Sequence, residues 1–243
     1  MIKLQSGDKD FPAYLATPAG KIKGGLIVIH EVWGLTDHIK DVADRLTKEG
    51  YLALAPDLMH EAGITEMATD QLAEDLFNPE KRNQVQPQLR ALMTPLHQPD
   101  FAEHTLAKLK VCFDYLYQKA DGKVAVIGFC FGGTYSFSLA ATEPRLKLAL
   151  PFYGHADMSV EDLRRIACPV RAFYGANDER LMAALPELKA KMKQAGVDFK
   201  THVYPSAGHA FFNDTNKFAY NEPAAKDAWQ KLLAYLQESL FLR

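Results

Sequence analysis

Gly128-Phe129-Cys130-Phe131-Gly132-Gly133 sets a cysteine between closely spaced glycines, where a strand-like run gives way to a helical one. The residues before it, Lys123-Val124-Ala125-Val126-Ile127, are apolar and rich in β-branched side chains, as suits a buried strand. The residues after it, Thr134 to Ala141, supply a small-residue helical face. A sharp strand-to-helix turn of this kind is a nucleophile elbow. Its glycines let neighbouring backbone come close, the side chain at its tip stands above the sheet, and the following N–H, that of Phe131, faces a developing oxyanion. The partial positive charge of a helix start favours a thiolate at Cys130. Taken alone, the turn fits a small buried apolar cysteine equally well.

Two downstream segments tip the balance toward chemistry. Pro169 to Gly175 reads as a strand followed by the loop Ala176-Asn177-Asp178-Glu179, and Phe199 to Tyr204 reads as a strand running into Pro205-Ser206-Ala207-Gly208-His209. Asp178 and His209 therefore fall just past strand ends, as Cys130 does, in the order nucleophile, acid, histidine. In that arrangement His209 holds the sulfur as an ion pair and later activates water, while Asp178 fixes the imidazole tautomer. Asp157 competes for the role of acid, because it too follows a predicted strand, Leu148 to Tyr153.

Outward from these segments, Gly24 to His30 predicts a buried strand, Asp37 to Glu49 an amphipathic helix, and Tyr51 to Ala55 a strand closed by Pro56. Strands alternating with helices imply an α/β fold with a mostly parallel central sheet flanked by helices. Phe11 to Thr17 is expected at a sheet edge, and Phe218 to Leu240 as a closing helix with Trp229 in the core. Residues 57–100 break the rhythm. Gly63, Pro79, Pro87, Pro95 and Pro99 punctuate helical pieces such as Thr69 to Phe77, and a long irregular segment of this kind reads as a lid or wall over a site. No repeat or linker divides the 243 residues, so a single domain over residues 1–243 is expected.

A net charge of -2, with acids and bases interspersed, gives no electrostatic case for nucleic acid or an anionic membrane. No apolar run approaches a membrane span, and Met1 to Asp8 lacks a signal-peptide core, so a cytoplasmic protein is expected. Nothing demands a partner chain, and a monomer is expected. Cys112, Cys130 and Cys168 are widely spaced and the histidines lack metal-ligand spacing, so neither a disulfide framework, a metal nor a cofactor is expected.

His30-Glu31-Val32-Trp33-Gly34 follows the first predicted parallel strand, where a second oxyanion donor belongs, and Val32 N–H is the candidate partner of Phe131 N–H. Glu31, beside a thiol, could accept its proton in the resting state or hold the thiol neutral until substrate displaces it, while spacing alone favours an exposed loop glutamate. His30, at the strand end, suits a supporting hydrogen bond.

These motifs together, His30 to Gly34, Ala-Pro-Asp-Leu at Ala55 to Leu58, the cysteine elbow and Ala-Gly-His-Ala-Phe at Ala207 to Phe211, resemble the dienelactone hydrolase (carboxymethylenebutenolidase) family over nearly the whole chain. The resemblance implies an α/β-hydrolase fold and hydrolysis of an unsaturated lactone. It implies Cys130 as nucleophile, His209 as base, Asp178 as its orienter, Glu31 as the residue controlling thiol protonation, and no cofactor. The well-studied members of this family bind the substrate carboxylate with two arginines, one after the Asp-Leu pair and one shortly after the histidine. Here those neighbourhoods read Asp57-Leu58-Met59-His60-Glu61 and His209-Ala210-Phe211-Phe212-Asn213, without arginine. Glu61 would repel a carboxylate, and Arg82 is the cation that could swing in from the irregular segment.

The expectation is a hydrolase that opens a small ester or lactone through a cysteine acyl-enzyme, in a pocket walled by Trp33, Phe131, Tyr153, Phe211 and Phe212, with Phe131 and Phe211 fitting the core equally well. One alternative keeps the three residues but takes neutral esters, thioesters or phosphate triesters. Another is a catalytically idle small-molecule binding protein.

Overall fold

The computed structural model describes residues 1–62, 70–98 and 100–241. Eight strands form one sheet: β1 (Ile2–Ser6), β2 (Lys9–Ala16), β3 (Gly25–Ile29), β4 (Leu52–Pro56), β5 (Val124–Phe129), β6 (Leu148–Phe152), β7 (Val170–Gly175) and β8 (Phe199–Tyr204). Their spatial order is β1-β2-β4-β3-β5-β6-β7-β8. β1 and β2 pair antiparallel, β2 pairs antiparallel with β4, and all strands from β4 to β8 run parallel.

Every residue of β3, β4, β5, β6 and β7 is buried, which matches their unbroken apolar sequences: helices cover both faces, so neither face needs polar side chains. The helices are α1 (Asp37–Lys48), α2 (Asp70–Phe77), α3 (Gln86–Met93), α4 (Phe101–Lys119), α5 (Phe131–Thr142), the short α6 (Val160–Leu163), α7 (Glu179–Ala195) and α8 (Glu222–Phe241). In α4, Leu109, Cys112, Phe113 and Leu116 form a buried stripe at helical spacing. No helix among the described residues is long and apolar enough to cross a membrane.

One expectation is corrected. The segment Phe11 to Thr17 is not at the edge: β2 lies second in the sheet, with Phe11 wholly buried, and β1 takes the outer place. β1 is only five residues long, with Ile2 and Leu4 half-buried and Lys3 and Gln5 exposed, and all five pair with β2.

Within the irregular segment, residues 63–69 and Pro99 lie outside the described residues, and with them Gly63 and the predicted helical start at Thr69. The described parts of α2 and α3 carry a second, smaller apolar cluster of Trp33, Met59, Leu72, Val85 and Leu92, with Val32, Phe101 and Phe131 packed against it. The lid-like segment is therefore seated by its own core on the loop after β3 and on the first residue of α5.

Candidate active site

Parallel strands place their C-terminal ends along one edge of the sheet, and the connecting loops gather there. Glu31 lies two residues past β3, Cys130 one past β5, Tyr153 one past β6, Asp178 three past β7 and His209 five past β8. Side chains far apart in sequence thus meet at one rim.

Cys130 occupies φ +53° and ψ −108°, a conformation that costs a non-glycine residue about 1–3 kcal/mol. Hydrogen bonds hold it there: Cys130 N–H donates to Phe152 O at 3.0 Å, Gly132 N–H to His30 O at 3.1 Å and Thr134 N–H to Cys130 O at 3.1 Å. A side chain at Gly132 could not be accommodated, since its Cβ would fall 2.3 Å from Ile29 O. Phe131 opens α5, so its N–H has no acceptor inside that helix. The hydrogen bond between Gly132 and His30 ties this helix start to the segment bearing Val32.

Asp178 caps α7, accepting the Leu181 N–H at 3.3 Å through Oδ1, while its Oδ2 accepts from His209 Nδ1 at 2.5 Å. The two loops interlock, with Asn177 N–H donating to Ala207 O at 2.9 Å. Gly175 permits this close approach; a Cβ there would lie 2.4 Å from Gly208 O. Cys130 lies near enough to the His209 ring to raise its proton affinity. Asp157, the rival acid, is exposed.

Burial opposes a charge on the His209 ring, but the interactions with Cys130 and Asp178 outweigh it, pushing the pKa up to about 10. Burial of Asp178 likewise favours its neutral acid, and the His209 hydrogen bond and charge reverse that, holding its carboxyl below the ordinary value. Nδ1 of His209 is accordingly the donor.

Glu31 is buried, not an exposed loop acid. Its Oε1 accepts from the Tyr153 hydroxyl at 3.2 Å and its Oε2 from Asn213 Nδ2 at 2.9 Å. Burial, the charges of Glu31 and Cys130 and the Glu31 hydrogen bond all keep the Tyr153 hydroxyl protonated, well above its ordinary pKa.

The profile of the dienelactone hydrolase family matches residues 11–240. The chain belongs to that family. A Saccharolobus solfataricus protein with the provisional name carboxymethylenebutenolidase is 34% identical over 241 residues, covering 93% of each chain. Protein usf of Aquifex pyrophilus is 33% identical over 99% of this chain and 98% of its own. A crystal structure from Klebsiella pneumoniae, provisionally described as a dienelactone hydrolase, superposes with a TM-score of 0.82 at 27% identity, covering 97% of this chain and 96% of the other. The fold is that of the α/β-hydrolases, and the chain is a carboxymethylenebutenolidase-like carboxylic ester hydrolase.

Of the aromatic residues expected to wall the pocket in this family member, only Phe131 presents accessible surface beside the elbow. Phe211 and Phe212 are core residues, 0% and 1% exposed. The backbone at Ala210 takes φ +59° and turns both rings inward, Phe211 onto Phe152, Tyr153 and Tyr204, Phe212 onto Phe129, Phe152 and Trp229. Trp33 is buried at the centre of the lid cluster, and Tyr153 is spent on Glu31 and on covering His209, with ring centroids 5.1 Å apart.

The aromatic surface beside Cys130 comes instead from Phe131 with Tyr135 and Phe101, at centroid distances of 4.5 and 6.2 Å. Tyr135 could have been foreseen four residues along α5 from Phe131. Asn213, the holder of Glu31, carries no such signal. Arg82 is exposed, and the Glu61 charge is paired with Lys9 at 3.5 Å and Lys108 at 3.4 Å. Among the described residues no cluster of three or more His, Cys, Asp or Glu side chains could hold a metal ion.

Proposed function

We propose that the chain opens a small ester or lactone through a cysteine acyl-enzyme, with Cys130 as nucleophile. The observation that carries this reading is the position of His209, bonded through Nδ1 to Asp178, with Cys130 near enough to raise the proton affinity of the same ring. The thiolate attacks the carbonyl carbon, and the Phe131 and Val32 N–H groups receive the negative charge that develops on its oxygen. When the tetrahedral species collapses, the carbon–oxygen bond to the alcohol breaks and the His209 imidazolium gives its proton to the leaving alkoxide. In a lactone that alcohol stays tethered to the acyl group.

The same ring can then act as a base. Its high proton affinity derives above all from the charge on Cys130, and acylation removes that charge. The ring, now neutral, takes a proton from water as the water oxygen attacks the thioester. The carbon–sulfur bond breaks, the thiolate returns beside an imidazolium, and the acid departs.

The neutral-substrate form of this reading is favoured by one observation. Glu31 is buried and held by two neutral donors, Tyr153 and Asn213, and the two neighbourhoods where the resemblance leads one to expect arginine contain none. An uncompensated anion disfavours a second carboxylate nearby. Hydrolysis of p-nitrophenyl acetate and of a dienelactone, measured on the wild type and on Cys130→Ala, tests the proposal. Activity on the neutral ester that vanishes in the variant is expected, with the dienelactone the poorer substrate. Unchanged activity in Cys130→Ala would refute the cysteine mechanism, and preference for the anionic lactone would refute the neutral-substrate form.

A further inference from the structure

His30 is wholly buried, yet both its ring nitrogens and its carbonyl are engaged within the loops that carry the proposed oxyanion donors. Leu58 N–H lies 3.0 Å from Nε2, and a backbone N–H can only donate, so Nε2 is the unprotonated nitrogen. Glu31 O lies 2.6 Å from Nδ1, and a carbonyl can only accept, so Nδ1 carries the proton. The carbonyl of His30 accepts the Gly132 N–H, and its ring stacks on Phe131 with centroids 5.8 Å apart and planes 9° apart. Burial lowers the His30 pKa and keeps the ring in this neutral form.

The bond to Glu31 O has a directional consequence. The peptide between Glu31 and Val32 is trans, so its C=O and N–H point opposite ways. The oxygen is drawn back by His30 Nδ1 and by Gly34 N–H at 3.3 Å, and the Val32 N–H therefore points away from both. On its other side His30 braces the start of α5, where the Phe131 N–H emerges. We infer that His30 is a positioning residue that aims the two oxyanion-binding amides, its Nδ1–H fixing the Val32 peptide and its carbonyl the start of α5. This rests on the cysteine acyl-transfer reading above.

Two conservative variants separate the functions of the ring. His30→Asn retains a donor where Nδ1 stands and loses the acceptor for Leu58; His30→Gln retains that acceptor and loses the donor to Glu31. Both lose the stacking on Phe131, so their difference isolates the donor. Two rates are compared: acylation of Cys130 by p-nitrophenyl acetate, which passes through an oxyanion, and alkylation by iodoacetamide, which does not. Acylation in His30→Gln is expected to fall by about 100-fold, the scale of losing one oxyanion donor, with alkylation within about twofold of the wild type. His30→Asn is expected to acylate within a few-fold of the wild type.

Equal acylation losses in the two variants, or alkylation falling in parallel with acylation, would overturn the assignment to His30. A wild type that transfers no acyl group would remove the underlying reading, and the proposal with it. A readout independent of variant folding is the imidazole ¹⁵N spectrum of the wild type: a protonated Nδ1 and a bare Nε2 on His30 are required, and the opposite tautomer overturns the proposal.

Discussion

The molecule contains two histidine–aspartate pairs built from the same atoms and exposed in opposite senses. His209 gives Nδ1 to Asp178 at 2.5 Å, with the histidine side chain 25% exposed and the acid 8%. His38, in the first turn of α1, gives Nδ1 to Asp214 at 3.1 Å, with the histidine 1% exposed and the acid 40%. The His209 ring interacts with Cys130 as well as with its acid, whereas Nε2 of His38 is buried without a polar partner, edge-on to Phe129 and Phe212. A histidine–aspartate hydrogen bond therefore carries little functional information in itself. What separates a candidate base from a structural pair is which member stays open and what faces the second nitrogen.

The largest expected effect breaks the symmetry of the two pairs. His209→Ala, like Cys130→Ala, is expected to lower ester hydrolysis by about 10⁴-fold or more, as the proposed group acts as a unit. His38→Ala is expected to keep turnover within a few-fold while costing about 1–3 kcal/mol of stability through lost packing and a lost buried hydrogen bond. Steady-state kinetics beside urea unfolding separates the two. A comparable turnover loss in His38→Ala would mean that the far pair feeds the site.

The acids give the next contrast. Asp178→Asn is expected to reduce turnover by about 10²–10⁴-fold, because an amide no longer fixes the His209 tautomer or supports its positive charge. The helix should be spared, since asparagine caps an N-terminus as well as aspartate. Asp214→Asn should leave turnover unchanged, and unchanged turnover in Asp178→Asn would reassign the acid.

The raised pKa of His209 sharpens the comparison through pH. Its imidazolium persists up to about pH 10, so alkyl esters, whose leaving alkoxides need a proton, should acylate the enzyme progressively more slowly as pH rises through that value. A p-nitrophenyl ester, whose leaving group needs none, should lack this alkaline loss. Asp178→Asn should move the alkyl-ester limb to lower pH, because one source of the elevation is gone. Identical alkaline limbs for both ester types would place the titrating group elsewhere.

Much of the fold was legible because the central strands are buried on both faces and spell themselves as apolar runs, and because Cys130 and Asp178 each follow such a run within three residues, while His209 follows the half-exposed edge strand β8 within five. What was not legible depends on side-chain direction. Glu31 reads as a loop acid until Asn213, 182 positions away, is found on its Oε2. Phe211 and Phe212 read as pocket walls because they adjoin His209, but proximity in sequence says nothing about a backbone that turns inward at Ala210. β1 was lost for a different reason: the alternation of Ile2 and Leu4 with Lys3 and Gln5 spans only five residues, too few to stand out.

Smaller effects probe the Glu31 environment. Glu31→Gln keeps an oxygen to accept from Tyr153 and removes the buried charge. The ratio of anionic to neutral ester turnover is expected to rise by about tenfold, the scale of one charge at intermediate effective dielectric. An unchanged ratio in a competition assay would show that the Glu31 charge does not set selectivity.

The smallest kinetic effect is expected at Phe212, which sits between the two pairs. It stacks on Phe129 at 5.4 Å, meets Phe152 at 5.1 Å, lies under the Arg45 guanidinium at 5.5 Å and closes the pocket of His38. Phe212→Leu removes part of this packing and should cost about 1–2 kcal/mol of stability. KM and kcat should stay at wild-type values, because a ring 1% exposed has no surface to offer a substrate. A raised KM with unaltered stability would instead return Phe212 to the pocket wall. It would also mean that the loop after His209 opens during turnover.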